Sequence, residues 1–346
     1  MKKLAKSKLF EVWSIIAKEH ELFVPVEQEG ESVNFSLWQE GEHVNLDHLK
    51  TNVSPKQIVF PQTETYLKFK TTGKKLSLEN VGGKQAPYVL FGVRPCDAQS
   101  FALIDNVFLT EPVDRFYEER RNKGILVSLA CSNPEETCFC QAFGITPGEA
   151  PQGVDVATWD MGTFLLWKPQ TAKGESLTNQ LNGVLEEALA QDEQDCQELQ
   201  QDIQQKLKDL PLAKIDPKQI TGDLKEIFDA KIWDEYSSRC LGCGSCTYVC
   251  PTCHCYDIRD FDGGKAGERF RCWDSCMFSE FTLMAHGNPR KTQKEKFRQR
   301  FMHKLVYYPN NNEGVYACVG CGRCMDKCPV NMNIVKVIKK LGGEKA

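Results

Sequence analysis

CLGCGSCTYVCP at residues 240–251 and CVGCGRCMDKCP at residues 318–329 are two copies of one pattern, CxxCxxCxxxCP. Three thiolates at this spacing can surround one face of an iron–sulfur cubane, and the fourth cysteine of each copy reaches the other cluster. The proline after each fourth cysteine ends any helix there and turns the chain away. The pattern therefore predicts two [4Fe-4S] clusters with crossed ligation. The predicted ligands are Cys240, Cys243, Cys246 and Cys328 for the first cluster, and Cys318, Cys321, Cys324 and Cys250 for the second.

Zinc sites and disulfide bonds are the other common uses of clustered cysteines. Zinc is tetrahedral and takes paired CxxC units, so it has no use for a third cysteine at the next interval. Disulfides belong to secreted chains, and MKKLAKSKLFEVWSIIAKEH at the start lacks the apolar run and the cleavage site of a secretory signal. The 17 cysteines therefore favour a reducing, cytoplasmic location.

Charge and hydropathy exclude two classes of partner. The formal net charge is −4, and thiolate-bound clusters add negative charge, which disfavours nucleic acid as a general partner. No stretch approaches the roughly 18 apolar residues of a membrane span. We therefore predict a protein without a transmembrane segment that does not bind nucleic acid.

Residues 1–170 have the pattern of a mixed α/β domain. One amphipathic helix is predicted at Lys8–Glu19, and strands are predicted at Val33–Leu37, Lys56–Phe60, Tyr88–Val93 and Gly124–Leu129. A mostly helical, ferredoxin-like dicluster domain follows at residues 233–346. The predicted fold is thus an α+β or α/β domain joined to a helical dicluster domain.

Four cysteines of the N-terminal domain indicate a third cluster. They lie at strand ends and in loops near helix N-termini, where amides stabilise thiolates: Cys96, Cys131, Cys138 and Cys140. Asp97 is predicted to cap the helix that follows Cys96. Buried cysteines that serve as small hydrophobic residues are the alternative that remains open.

Two further segments complete the division of the chain. Residues 171–232 are rich in Gln, Glu, Asp and Lys and predict a pair of surface helices linking the domains, in which Cys196 has a structural role.

In the third region a 67-residue insertion, Pro251 to Ala317, separates the two motif copies. Its own cysteines, Cys253, Cys255, Cys272 and Cys276, form an additional metal site or pack near a cluster. Trp273, Arg269 and Arg271 are predicted to tune the reduction potential.

A basic stretch near the second motif, residues 290–304, carries seven Lys or Arg residues. The spacing of Phe297, Phe301 and Met302 gives it one apolar face if it is helical. We expect its cations on a solvated face, with docking to an acidic partner as the alternative.

These motifs together resemble the iron–sulfur β subunit of soluble sulfhydrogenases and [NiFe] hydrogenases, and equally the dicluster iron–sulfur subunit of anaerobic sulfite reductase. The resemblance rests on SSRCLGCGSCTYVCPTCHCYDIRD, on RCWDSCMF with HGNPR, on CVGCGRCMDKCP and, in the N-terminal half, on FGVRPCDAQSFALIDNVFL and CFC. It covers nearly the whole chain outside the acidic linker. Cys272 has no recognised counterpart in the family, and HGNPR lacks a second histidine common there.

The resemblance implies an electron-transfer subunit of a flavin-linked complex. A partner with FAD and [2Fe-2S] would exchange electrons with NAD(P)H, and this chain would pass them singly to a catalytic subunit such as sulfite reductase, hydrogenase or a heterodisulfide-reductase-like module. No GxGxxG follows a strand and no Walker loop is present, so we expect the catalytic residues on other chains. A stand-alone iron–sulfur oxidoreductase and a redox-sensing binding protein remain alternatives.

Overall fold

The structure is a computed structural model that describes residues 1–30, 32–81 and 85–343. Within these ranges the chain forms two sheets surrounded by helices. The strands are β1 (Lys2–Ala5), β2 (Glu21–Gln28), β3 (Ser32–Leu37), β4 (Thr63–Thr72), β5 (Lys75–Asn80), β6 (Tyr88–Val93), β7 (Gly124–Leu129), β8 (Val156–Asp160), β9 (Phe164–Pro169), β10 (Glu186–Glu187), β11 (Tyr256–Asp262) and β12 (Ala266–Trp273). The α-helices are α1 (Leu9–Ile16), α2 (Lys56–Val59), α3 (Pro95–Phe108), α4 (Arg115–Lys123), α5 (Ala172–Gln180), α6 (Ala190–Asp209), α7 (Leu224–Phe228), α8 (Ile232–Ser237), α9 (Ser245–Tyr248), α10 (Gln293–Met302), α11 (Tyr308–Asn311), α12 (Arg323–Asp326) and α13 (Ile334–Leu341).

The larger sheet has eight strands in the order β10-β1-β9-β8-β7-β6-β2-β3. Its central strands β8, β7, β6 and β2 run parallel, and antiparallel strands flank them on both sides. Every residue of β6 and β7 is buried, because apolar clusters cover both faces of the sheet. Parallel neighbours end at the same edge of a sheet, so the segments that follow β6 and β7 emerge side by side.

The smaller sheet is antiparallel, in the order β11-β12-β4-β5. It joins a hairpin from the insertion between the two cysteine motifs to strands of the N-terminal region. Arg271 on β12 is fully buried and forms ion pairs with Glu64 on β4 and with Asp114. The insertion is therefore anchored on the N-terminal region. The division at residues 1–170, 171–232 and 233–346 remains a prediction.

The predicted elements of the N-terminal region are confirmed with one exception. The structure has α1 inside Lys8–Glu19, β3 across Val33–Leu37, and β6 and β7 at the predicted residues. The strand predicted at Lys56–Phe60 is wrong, because a short helix, α2, occupies Lys56–Val59. Its two buried residues, Lys56 and Val59, lie three positions apart, which is the spacing of one helix face.

The linker packs on the larger sheet. The stretch predicted as a helix pair contains one long helix, α6, of 20 residues, while α5 precedes it and β10 pairs with β1. Cys196 on α6 is 2% exposed and packs against Trp159 and Leu166, in keeping with a structural role.

A second core holds the region of the cysteine motifs. Trp233 on α8, Phe297 and Phe301 on α10, and Val337 on α13 are almost completely buried in it. The chain is thus mixed α/β, and helices surround the motifs. The insertion adds the β11–β12 hairpin, so the prediction of a mostly helical domain holds only in part.

Candidate metal centres

The first three cysteines of motif one lie together with the last cysteine of motif two. Cys240, Cys243, Cys246 and Cys328 line one cavity. The other walls are mainly apolar and include Met277, Phe297, Val330 and Met332. We refer to this cavity as site I.

Backbone amides point at the sulfurs of site I. The Gly242 N–H donates to Cys240 Sγ at 3.4 Å, and the Met332 N–H donates to Cys328 Sγ at 3.2 Å. Cys243 is exposed and lies 3.4 Å from Ser245 Oγ, and this hydrogen bond holds the pKa of the Cys243 thiol below its ordinary value. Burial instead raises the pKa of Cys246 to about 11. Site I therefore combines a solvent-exposed thiol, that of Cys243, with a largely buried one, that of Cys246.

The remaining motif cysteines form a second group, site II, made of Cys250, Cys318, Cys321 and Cys324. The negative charge of the Cys250 thiolate raises the pKa of each of the other three thiols. Burial raises the pKa of Cys318 and Cys324, and that of Cys321 to about 12. Such thiols ionise readily only when a metal or cation compensates the charge.

The four N-terminal cysteines also converge. One cavity is lined by Cys96 at the start of α3, by Cys131 after β7, and by Cys138 and Cys140 of the following loop. We refer to it as site III. Cys321 of site II lines the same cavity, so the two sites share a wall.

Cations take part in the walls of site III. Arg94 donates to the carbonyls of Ala130 and Leu46, and its charge opposes the burial that raises the pKa of Cys131 to about 12. Lys50 lines the cavity and forms ion pairs with Glu135 and Asp326. The prediction that Asp97 caps α3 is wrong. Asp97 lies inside the first turn and accepts two hydrogen bonds from Arg323, each 2.7 Å long.

Site III and motif two approach each other backbone to backbone. The Phe139 N–H donates to the Gly320 carbonyl at 3.0 Å. Gly320 has a φ of +61°, and a Cβ there would lie 2.4 Å from the Phe139 oxygen. Only glycine fits such a position, which explains why position 320, just before Cys321, is a glycine.

Buried cations separate the cysteine groups. Arg300 on α10 lines site I and is 3% exposed, and its charge opposes the burial that raises the pKa of Cys324 of site II. Lys304 is 5% exposed and donates to Thr252 Oγ1 and the Ala317 carbonyl. In the described ranges neither forms an ion pair with a carboxylate. Their charges therefore face the thiols, which is the arrangement that an anionic cluster requires.

The position of these cations corrects two predictions. The expected solvated face of residues 290–304 is wrong for Lys296, Arg300 and Lys304, which are all buried, whereas the predicted apolar face is confirmed. Arg269 and Arg271 do not face the cysteine groups, since Arg269 pairs with Asp260 and Arg271 with Glu64 and Asp114.

Comparisons with known proteins agree with this geometry. Residues 239–332, which hold both motif copies, match the 4Fe-4S dicluster domain family. The chain is also 30% identical over 302 residues to sulfhydrogenase 2 subunit beta of Pyrococcus furiosus, covering 87% of this chain and 86% of the relative. The chain belongs to the sulfhydrogenase β-subunit family. No solved structure matches it significantly.

The likeness to a sulfhydrogenase β subunit extends beyond the dicluster domain, since it covers most of the chain. Among the described residues, no helix is long and apolar enough to cross a membrane. Nor, in the same residues, are three His, Cys, Asp or Glu side chains arranged to hold one metal ion. The four cysteines of site I line one cavity, and so do the four of site III, as the ligands spread around an iron–sulfur cluster do.

Sequence reasoning did not find the cations of these sites. Lys50, Arg94, Arg300 and Lys304 are ordinary basic residues in the sequence, without a spacing that marks them. The sequence offers one signal. Lys296, Arg300 and Lys304 lie four residues apart, and Arg300 and Lys304 each lie three residues after a phenylalanine, so in a helix they would lie near its apolar face.

Proposed function

We propose that this chain is an electron-transfer iron–sulfur subunit of a flavin-linked oxidoreductase complex. Three [4Fe-4S] clusters would occupy sites I, II and III. The ligands would be Cys240, Cys243, Cys246 and Cys328 at site I, Cys250, Cys318, Cys321 and Cys324 at site II, and Cys96, Cys131, Cys138 and Cys140 at site III. Each cluster would supply one-electron redox chemistry.

The contiguity of the three sites is the observation that carries this proposal. Arg300 lines site I and its charge lowers the pKa of Cys324 of site II, and Cys321 of site II lines the cavity of site III. The order is therefore I, II, III, with Arg300 shared by sites I and II and Cys321 shared by sites II and III. Such a row supports the passage of single electrons from one end of the chain to the other.

The two ends of this row differ in their access to solvent. At site I, Cys243 is exposed and the neighbouring Leu241 is 66% exposed. Three of the four site III cysteines are buried, and Lys50 and Arg94 close its cavity. Site I is thus the better place for exchange with a partner protein, while site III depends on the fold around it.

The partners follow from what this chain lacks. Because its sequence carries no recognisable nucleotide-binding motif, a second subunit with FAD and [2Fe-2S] would exchange electrons with NAD(P)H, and a third would perform the terminal reaction. The name of the Pyrococcus furiosus relative, a subunit of a sulfhydrogenase, supports membership of a complex. Hydrogenase, sulfite reductase and heterodisulfide-reductase-like modules are the candidates for the terminal subunit, and the chains recovered by anaerobic affinity purification would identify it.

An iron count on anaerobically purified protein tests the number of clusters. We expect about twelve irons per chain, since each cluster holds four. Cys138→Ser should lose about four irons and keep the EPR signals of the ferredoxin-type pair, because site III alone is broken. Cys196→Ser, a buried cysteine outside all three sites, is the matched control and should lose none. About eight irons in the unmodified chain would remove site III from the proposal.

A further inference from the structure

Four cysteines of the insertion lie outside sites I, II and III, and three of them, Cys253, Cys255 and Cys276, interact with one another. Cys255 directly precedes β11 and Cys276 follows β12, at the open end of the hairpin. The pairing of Tyr256 with Trp273 continues beyond the strands, where the Asp274 N–H donates to the Cys255 carbonyl at 2.9 Å. The hairpin register therefore fixes the two thiols near each other.

The thiols of Cys255 and Cys276 interact with each other. Hydrogen bonding from the thiol and the backbone N–H of Cys276 lowers the pKa of Cys255. Both residues are partly exposed to solvent. This is a pairwise contact, unlike the arrangement around a cavity seen at site I.

The pair is connected to site II through Cys253. Hydrogen bonding to Cys253 lowers the pKa of the Cys250 thiol, and the charge of Cys255 raises the pKa of Cys253. Cys253 thus interacts both with a proposed ligand of site II and with Cys255.

A buried lysine lies beside Cys253. Lys56 is 2% exposed, donates to the Cys253 carbonyl at 2.7 Å, and lies 3.9 Å from the centre of the Trp273 ring. In the part of the chain that the structure describes, it forms no ion pair with a carboxylate. Burial lowers the pKa of Lys56 to about 8, so it can release and regain a proton near neutral pH.

We propose that Cys255 and Cys276 form a dithiol–disulfide couple that exchanges two electrons with the cluster of site II. The inference rests on the proposed function, because it needs that cluster as its one-electron donor and acceptor. Reduction breaks the S–S bond and takes two protons, one for each sulfur, and two electrons, which the site II cluster would supply one at a time. Lys56, which donates to the Cys253 carbonyl, would relay those protons. Oxidation reverses each step.

The contacts favour a dithiol over a further metal site. Cys255 and Cys276 interact as a pair, whereas Cys253 interacts with Cys250, a proposed ligand of site II. The hydrogen bond from Cys276, opposed by burial, lowers the pKa of Cys255 to about 7. A partly ionised thiol beside a second thiol is the arrangement found in redox-active cysteine pairs.

Peptide mapping on the cluster-loaded chain tests the inference directly. The protein is poised with redox dyes at oxidising or reducing potential, denatured under an alkylating reagent, and digested. We expect one disulfide-linked peptide pair containing Cys255 and Cys276 in the oxidised sample, and alkylated thiols at both positions after dithionite. Two free, fully alkylated thiols at every potential would overturn the proposal.

Reductive titration with variants gives an independent measure. Full reduction of the unmodified chain should take about five electrons, one per cluster and two for the couple, and Cys255→Ser or Cys276→Ser should each reduce this to about three. Iron content should stay unchanged in both. Cys272→Ser, a nearby cysteine on β12, is the control and should leave the electron count unchanged. A loss of about four irons in Cys255→Ser or Cys276→Ser would show that the two cysteines bind a cluster instead and would overturn the couple, whereas a low iron count in the unmodified chain would contradict the proposed function alone.

Discussion

Sites I and II on one side and site III on the other bind their proposed clusters through different means. Each ferredoxin-type site takes three ligands from one short segment, so local spacing brings most of the thiols together. Site III takes its cysteines from the start of α3, from the end of β7 and from the loop beyond it. Its geometry therefore depends on the parallel pairing of β6 with β7.

The difference predicts where each kind of site is vulnerable. A site built by local spacing tolerates changes at a distance, whereas a site built by the sheet depends on the contacts that hold the sheet against motif two. Two such contacts are visible: the buried ion pair of Arg323 with Asp97, and the close approach of Gly320 to Phe139.

Breaking the Arg323–Asp97 ion pair should have the largest effect on the stability of the chain and on the iron of site III relative to sites I and II. Arg323 is 2% exposed and Asp97 1%, so Arg323→Met leaves a carboxylate buried without a partner. We expect a loss of about 3–5 kcal/mol in the free energy of unfolding, measured by denaturant titration of the cluster-loaded chain. Site III should lose its iron before sites I and II, because Asp97 adjoins Cys96.

Arg269→Met is the matched control for this variant. Arg269 also forms a two-bond ion pair, with Asp260, but on an exposed hairpin, and we expect no measurable change in stability. The double variant Arg323→Met, Asp97→Leu should recover most of the stability, because no charge then remains unpaired. Equal destabilisation by the single and double variants would refute this account.

Gly320→Ala should have a smaller effect on stability but the same selectivity for site III. The positive φ costs about 1–2 kcal/mol in a residue with a Cβ, and the clash with the Phe139 oxygen pushes the loop of Cys138 and Cys140 away. Iron analysis and EPR should show loss at site III with partial loss at site II. Gly264→Ala, at φ +85° with no atom near its Cβ, carries the strain without the clash and should keep all iron. If the two glycine variants behave alike, backbone strain rather than close approach explains Gly320.

The same difference explains what the sequence could reveal. The two CxxCxxCxxxCP copies predict which cysteines lie together, because the spacing itself encodes the geometry. The strands before Cys96 and Cys131 could also be predicted, at β6 and β7, from compact apolar runs. The cysteines at their ends indicated a common site because they lie in loops near helix N-termini, and the parallel pairing of β6 with β7 explains why they emerge at the same edge of the sheet.

Other features depended on contacts that no local pattern records. The segment of α2 was predicted as a strand from its alternating residues, a pattern that does not record the contacts of the buried Lys56 ammonium group with the Cys253 carbonyl and Trp273. Asp97 was predicted as a helix cap from its place at the start of α3, and its ion pair with Arg323, far along the chain, leaves no local pattern. The pairing of β12 with β4 joins two distant regions, and no spacing rule relates their sequences.

Arg300 gives the smallest expected effect and the sharpest test of the charge between sites I and II. Its guanidinium is buried against the cysteines of both sites, and in the described part of the chain it has no carboxylate partner. A positive charge stabilises the reduced form of a cluster, which carries one more negative charge. Arg300→Gln should therefore lower the reduction potentials of sites I and II by on the order of tens of millivolts, as measured by EPR-monitored redox titration.

The potential of site III provides the internal reference, because Arg300 does not line its cavity. Arg298→Gln is the external control: it removes a charge of the same helix that lies over the Phe228 ring, away from the cysteines, and should shift none of the potentials. Iron content must match that of the unmodified chain for the comparison to hold, since a buried cation also affects packing. A shift of all three potentials by the same amount would mean that Arg300 acts through the general charge of the protein, and its place between sites I and II would then have no special electrostatic role.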